Sequence, residues 1–82
     1  MDTIPLSNIK EGSTAYVVKI YSEGIIRRRL QDIGIVNGTA IKCIRKSPLG
    51  DPCAYLIYGT LIAIRNSDAK NIIVSVKGWF YD

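Results

Sequence analysis

The sequence predicts a mainly β chain, a small SH3-like β-barrel with one short α-helix between its first and second strands. Three observations carry that expectation. Hydrophobic residues make up 48% of the chain, with Ile the commonest, which favours pleated, half-buried segments over disorder. They fall into short runs separated by Gly, Pro and Asn breaks, as strands joined by turns do. One segment, Gly24 to Ile35 ("GIIRRRLQDIGI"), has helical spacing instead. Closely spaced short strands favour a closed or nearly closed barrel, because closure removes vulnerable sheet edges. An OB-type barrel is the alternative. The 82 residues fit one domain, 1–82.

In chain order, Ile4, Leu6 and Ile9 form a short lead-in expected to pack under the barrel. The run "STAYVVKIYS" (Ser13–Ser22) reads as the first strand, with Tyr16, Val18 and Ile20 on one face. Ser22 is placed to cap the helix, and Glu23 suits the positive end of its dipole. Ile26, Leu30 and Ile33 then fall at i, i+4 and i+7 on one helical face. Gly34 suits the left-handed residue that ends a helix. A helix of about ten residues is too short to stand alone in water, so packing must hold it.

Asn37-Gly38 marks a tight turn, followed by a strand from Thr39 to Lys46. "SPLGDP" (Ser47–Pro52), with two prolines and a glycine, is a loop. "CAYLIY", a break at Gly59-Thr60 and "LIAIR" read as an antiparallel pair. "SDAKN" (Ser67–Asn71) is a turn or a single helical turn. "IIVSVK" gives the last strand, with Ile72, Val74 and Val76 on one face.

Composition narrows the chemistry. Histidine is absent, which removes the usual base for a Ser or Cys nucleophile. Seven acidic residues are scattered without pairing, and no phosphate-cradling glycine motif is present. The chain therefore reads as a binding module, not an enzyme, with no cofactor. Cys43 and Cys53 lack metal-ligand spacing and read as buried thiols. A strand pairing across Ser47–Pro52 sets Cys53 opposite a residue near Lys46, so a metallochaperone built on both thiols is not expected. The N-terminus lacks a signal-peptide pattern, and the longest uncharged run, Pro52–Ile64, is short of the ~20 residues that span a bilayer. The expected location is cytoplasmic.

A net charge of +4 allows an acidic partner, a membrane surface or nucleic acid, and selects none of them. On the helix, Arg28 points away from the apolar face, Arg27 lies to one side and Arg29 flanks the stripe, while Arg28 and Asp32 are spaced to pair. Small-barrel single-strand binders interleave exposed aromatics with basic residues. Here Tyr16, Tyr55 and Tyr58 fall within strands, and the tail residues Trp79, Phe80 and Tyr81 stand beside one lysine and a terminal Asp82. Nucleic-acid binding is thus the alternative function, and no nucleic acid is expected. The apolar tail offers a surface for a homo-oligomer.

Three ordered motifs add to this reading. The run "RRRLQDIGI" contains Arg28, Arg29, Leu30, Gly34 and Ile35 at the positions of an Arg-Arg-Leu-x-x-Leu-Gly-Ile helix end. Pro48, Leu49, Gly50, Asp51 and Pro52 form Pro-Leu-Gly-Asp-Pro, and Gly59, Ala63 and Arg65 match Gly-x-x-Leu-Ala-Leu-Arg. From about Leu6 to Val76 the chain resembles the ferrous iron transport protein A (FeoA) family. Ile33, Asn37, Glu11, Ile62 and Ile64 depart from the pattern by replacing Leu or Pro. None of these departures removes an arginine or the loop.

The resemblance implies an SH3-like barrel that supports ferrous iron uptake by docking on a membrane ferrous iron transporter with a cytosolic GTPase domain. The chain would then sit peripherally at the inner membrane through its partner. On that reading the partner-binding residues are Arg27, Arg28 and Arg29, as bidentate donors to carboxylates, with Leu49, Gly50 and Asp51 of a loop stiffened by its prolines. Leu49 supplies the apolar anchor. Gly50 holds the turn and Asp51 caps it, and Arg65 is expected to pair with Asp32 or Asp51.

Overall fold

Residues 3–76 are described by a computed structural model of the chain. Strands β1 (Thr3–Pro5), β2 (Thr14–Ile20), β3 (Ala40–Lys46), β4 (Cys53–Ile57), β5 (Thr60–Ile64) and β6 (Ile72–Ser75) form one sheet in the order β1-β6-β2-β3-β4-β5. Every neighbouring pair is antiparallel. Helix α1 (Gly24–Ile33) connects β2 to β3, and a single turn, α2 (Asn66–Ala69), connects β5 to β6. The mainly β, SH3-like expectation holds, with one qualification. Among the described residues the sheet does not close, because β1 and β5 share no ladder and remain its two edges.

The lead-in is more than a plug. Thr3–Pro5 pairs with Ile73–Ser75 as an edge strand, and Leu6 and Ile9 enter the core through a 3-10 turn at Leu6–Asn8. The edge strand ends at Pro5, where the chain enters that 3-10 turn.

The core is built from the inward residues of the sheet, among them Val17, Ile41, Tyr55, Ile57, Ile72 and Val74, with Leu30 of α1 packed against them. On β2 the expected face is wrong by one residue. Ala15 and Val17 are buried, whereas Tyr16 and Val18 are only half-buried. The register shifts between Val17 and Lys19. An extra residue in one strand reverses the alternation beyond it, so Ile20 returns to the core side and no single period fits the whole run. On β6 the strand ends at Ser75, and Val76, expected on the core face, is exposed.

Helix α1 starts one residue later than expected. Glu23 is its N-cap without a side-chain bond, and the buried Ser22 hydroxyl has no partner among the described residues. The C-terminus agrees with expectation. Gly34 is left-handed at φ +100°, and its N–H reaches the carbonyls of Leu30 (3.1 Å) and Gln31 (2.9 Å). The Ile35 N–H also returns to Leu30 O at 2.9 Å, closing the terminal carbonyls in the Schellman manner. Of the helix's apolar stripe, Leu30 is buried and Ile26 half-buried, but Ile33 is exposed at 36%. The stripe is therefore covered at one end and open at the other. The tail Trp79-Phe80-Tyr81 lies outside the described residues.

Candidate functional site

Three consecutive arginines on a helix point about 100° apart, so they serve different flanks. Arg27 donates from Nη1 to the Ile20 carbonyl at 3.2 Å and borders a basin with Lys19, Gln31 and Asn37. Arg28 is exposed, and the expected pairing with Asp32 is absent. Arg29 lines a groove of about 320 Å³ on the opposite flank. One wall of this groove is Ile26, Leu30 and Ile33 of α1, and the other is Ile62 to Arg65. The exposed end of the helix stripe is thus the wall of a groove, not a failed core contact.

The Pro-Leu-Gly-Asp-Pro loop is pinned from below. Gly50, at φ +80°, closes the turn by donating its N–H to the Ser47 carbonyl at 2.7 Å. Its own carbonyl accepts from Asn66 Nδ2 at 2.6 Å and from the Cys53 thiol at 3.5 Å. Asp51 Oδ1 accepts the Asn66 backbone N–H at 2.9 Å, which satisfies a free donor at the start of α2. Gly50 and Asp51 are therefore spent on holding the loop. Leu49 is left projecting at 93% exposure.

The expected pairing of Arg65 with Asp32 or Asp51 does not form, and Asp51 Oδ1 instead accepts the Asn66 N–H. Arg65 instead lines the groove that Arg29 borders. Since Arg65 is followed directly by Asn66, one peptide step joins the cationic groove to the loop that carries Leu49.

Sequence reasoning missed Asn66 and Tyr58. Asn66 lies outside the segment read as a turn from Ser67. Its signal was the side-chain amide right after a strand, where Asn habitually bonds nearby backbone. Tyr58 and Gly59 are the two turn residues of the β4–β5 hairpin, at φ +52° and +77°, with Ile57 and Thr60 as the closing pair. The expected break at Gly59-Thr60 is thus displaced by one. Two positive φ values favour Asn-Gly, and Tyr is costly there. Its compensation is tertiary. The Tyr58 hydroxyl donates to Gly34 O at 2.9 Å and lies 3.1 Å from Thr39 Oγ1. The hairpin turn thereby clamps the end of the arginine helix.

Cys53 faces Lys46 across β3–β4, as expected, and Cys43 faces Tyr55. Both thiols are free and buried. Burial first, then the neighbouring Cys53, holds the Cys43 thiol above its ordinary value of 9.0. Burial, again followed by Cys53, pushes the Tyr55 phenol above its ordinary 10.0. Above these values the unfolded chain releases protons that the folded chain keeps. The contribution of these two groups to stability is therefore full below about pH 9 and falls as pH rises, by at most about 1.4 kcal/mol per pH unit for each group. Urea unfolding between pH 8 and 11 reads this slope, which is expected to be shallower in Cys43→Ala. Among the described residues, no three of His, Cys, Asp and Glu are grouped to hold a metal ion. No described helix is long and apolar enough to cross a membrane.

A family model for the FeoA domain matches residues 4–76. The chain belongs to the FeoA family. A curated relative, an Fe(2+) transport protein A/Fe(2+) transporter FeoB fusion protein of Porphyromonas gingivalis, is 32% identical over 71 residues. That match takes in 87% of this chain but only 8% of the fusion protein. The solution structure of an FeoA-like protein from Clostridium acetobutylicum superposes with a TM-score of 0.84 at 38% identity, covering 93% of this chain and 88% of that one. FeoA of Stenotrophomonas maltophilia, described as a prokaryotic SH3 domain protein and solved with zinc, gives a TM-score of 0.75 at 29% identity. There the shares covered are 92% of this chain and 91% of that one. The FeoA and SH3-like readings of the sequence are both borne out.

Proposed function

We propose that this FeoA chain is an accessory protein of ferrous iron uptake that docks on the cytosolic, GTPase-bearing region of the membrane iron transporter. The supporting observation is the fused relative, in which an FeoA segment and the iron transporter FeoB share one polypeptide. A covalent tether raises the effective concentration of two parts to about millimolar, which matters where the two parts engage each other. The site suits such an encounter. Arg28 and Arg29 are exposed and held by a clamped helix, and Leu49 projects from a loop whose backbone is already ordered. Preordering reduces the entropy lost on docking. The chain is held at the cytosolic face of the membrane by that partner.

Titration of the chain against the transporter's purified cytosolic region tests this. The double substitution Arg28→Glu, Arg29→Glu is expected to weaken binding about 10- to 100-fold, with an affinity that falls as salt is raised. Unchanged binding by the double variant would remove the arginine face from the interface. No binding by the unmodified chain would remove the docking role.

A further inference from the structure

Among the described residues the sheet has two edges, and only one is guarded. β1 has three residues and ends at Pro5, the short, donor-poor form that keeps an edge from pairing. β5 reads TLIAI, with no charge and no proline, and Leu61 is 61% exposed. The parity of the ladder identifies its free groups. Ile57 and Thr60 close a two-residue turn and exchange both backbone bonds, so the Tyr55–Ile62 and Cys53–Ile64 pairs do likewise. Leu61 and Ala63 therefore direct N–H and C=O away from β4. Four consecutive residues, Ile62 to Arg65, line the groove opposite α1. Neighbouring side chains of a strand point to opposite faces, so it is the strand's edge that opens onto the groove.

We propose that this groove receives an extended segment of the transporter's cytosolic region, which pairs with β5 as an added strand. The inference deepens the docking reading and rests on it. The segment's aliphatic side chains lie against Ile26, Leu30 and Ile33, and a carboxylate sits between Arg29 and Arg65. Charge fixes that chemistry. The two arginines stand on opposite walls, and Asp68 is the one carboxylate among the described residues of the lining, which leaves the groove positive. Backbone bonds supply affinity in strand addition, while alternate side chains supply specificity.

Amide hydrogen exchange of the chain, alone and with the transporter's cytosolic region, tests the proposal. Binding is expected to slow exchange at Leu61 and Ala63 at least 10-fold, while Ile62 and Ile64 are protected already. Ala63→Pro, which removes an N–H that faces away from the sheet, is expected to fold and to bind at least 10-fold more weakly. If Ala63→Pro does not fold, the exchange pattern of the unmodified chain decides. Binding without protection at Leu61 and Ala63 overturns strand addition and leaves the docking reading standing. Absence of binding overturns both. Protection at Leu61 and Ala63 in the chain alone, rising with its concentration, makes a second copy the occupant and overturns the transporter segment.

Discussion

Gly34→Ala is expected to lower the unfolding free energy by about 2–3 kcal/mol, read as a fall in Tm of roughly 10–20 °C. Two separate effects add. The backbone at Gly34 sits at φ +100°, where any L side chain meets the steric penalty of the left-handed region, about 1–2 kcal/mol. A Cβ there would also lie only 3.0 Å from Cε2 of the Tyr58 ring. The ring cannot retreat freely, because its hydroxyl is held by Gly34 O and Thr39 Oγ1. Displacing it loosens those bonds, at about 1 kcal/mol net. A double-mutant cycle separates the two effects. In a Tyr58→Ala background Gly34→Ala is expected to cost only the backbone part, which leaves a coupling of about 1 kcal/mol. Additive losses would mean that the ring and the glycine do not sense each other. Since the clamp positions α1, Gly34→Ala should also weaken docking through Arg29 without touching a charge.

The extent to which sequence revealed this arrangement differs from element to element, for physical reasons. Helix α1 was legible because its spacing and Gly34 are local signals that tertiary contacts only reinforce. The strands were legible in order, but the inward face of β2 was not. Its bulge shows only in the register with β6, and nothing in "STAYVVKIYS" announces an unpaired residue. β1 went unread because three residues ending in proline carry too little periodicity to stand out. At the site, the exposure of Leu49 followed from its place in a Pro- and Gly-rich loop. The division of the arginines between two grooves did not, because it depends on which strands flank the helix. Tyr58 was hidden for a related reason. A turn position disfavoured by local rules is tolerated through bonds to Gly34 and Thr39, 24 and 19 residues away. The motif similarity covered Gly50, Asp51 and Arg65, yet the residue that ties them together, Asn66, stands one position past the end of the last motif.

Asn66→Asp is accordingly expected to be more damaging than Asn66→Ala, although it is nearly isosteric. The Asn66 amide nitrogen donates to the Gly50 carbonyl at 2.6 Å, and its backbone N–H meets the Asp51 carboxylate at 2.9 Å. Alanine removes one side-chain donor and leaves the Gly50 carbonyl without that partner, at about 1–2 kcal/mol. Aspartate replaces the donor with an ionised oxygen that faces both a carbonyl and a second carboxylate. The loss at pH 7 is expected to reach about 2–4 kcal/mol for this half-buried position. The two variants separate by pH. Its neighbours raise the new carboxyl's folded pKa above the unfolded value of about 3.9. The protonated form, once more a donor, is therefore present below that value, and the deficit relative to the unmodified chain opens as pH rises through the folded pKa. The deficit of Asn66→Ala is expected to stay flat. Denaturant midpoints for the three proteins between pH 3 and 7 check the sign, and faster exchange of the Gly50 amide, bonded to Ser47 O, reports the loop itself. A pH-independent deficit in Asn66→Asp would mean that the Asn66 side chain does not brace the loop. Leu49 would then project from a mobile turn, not from a braced one.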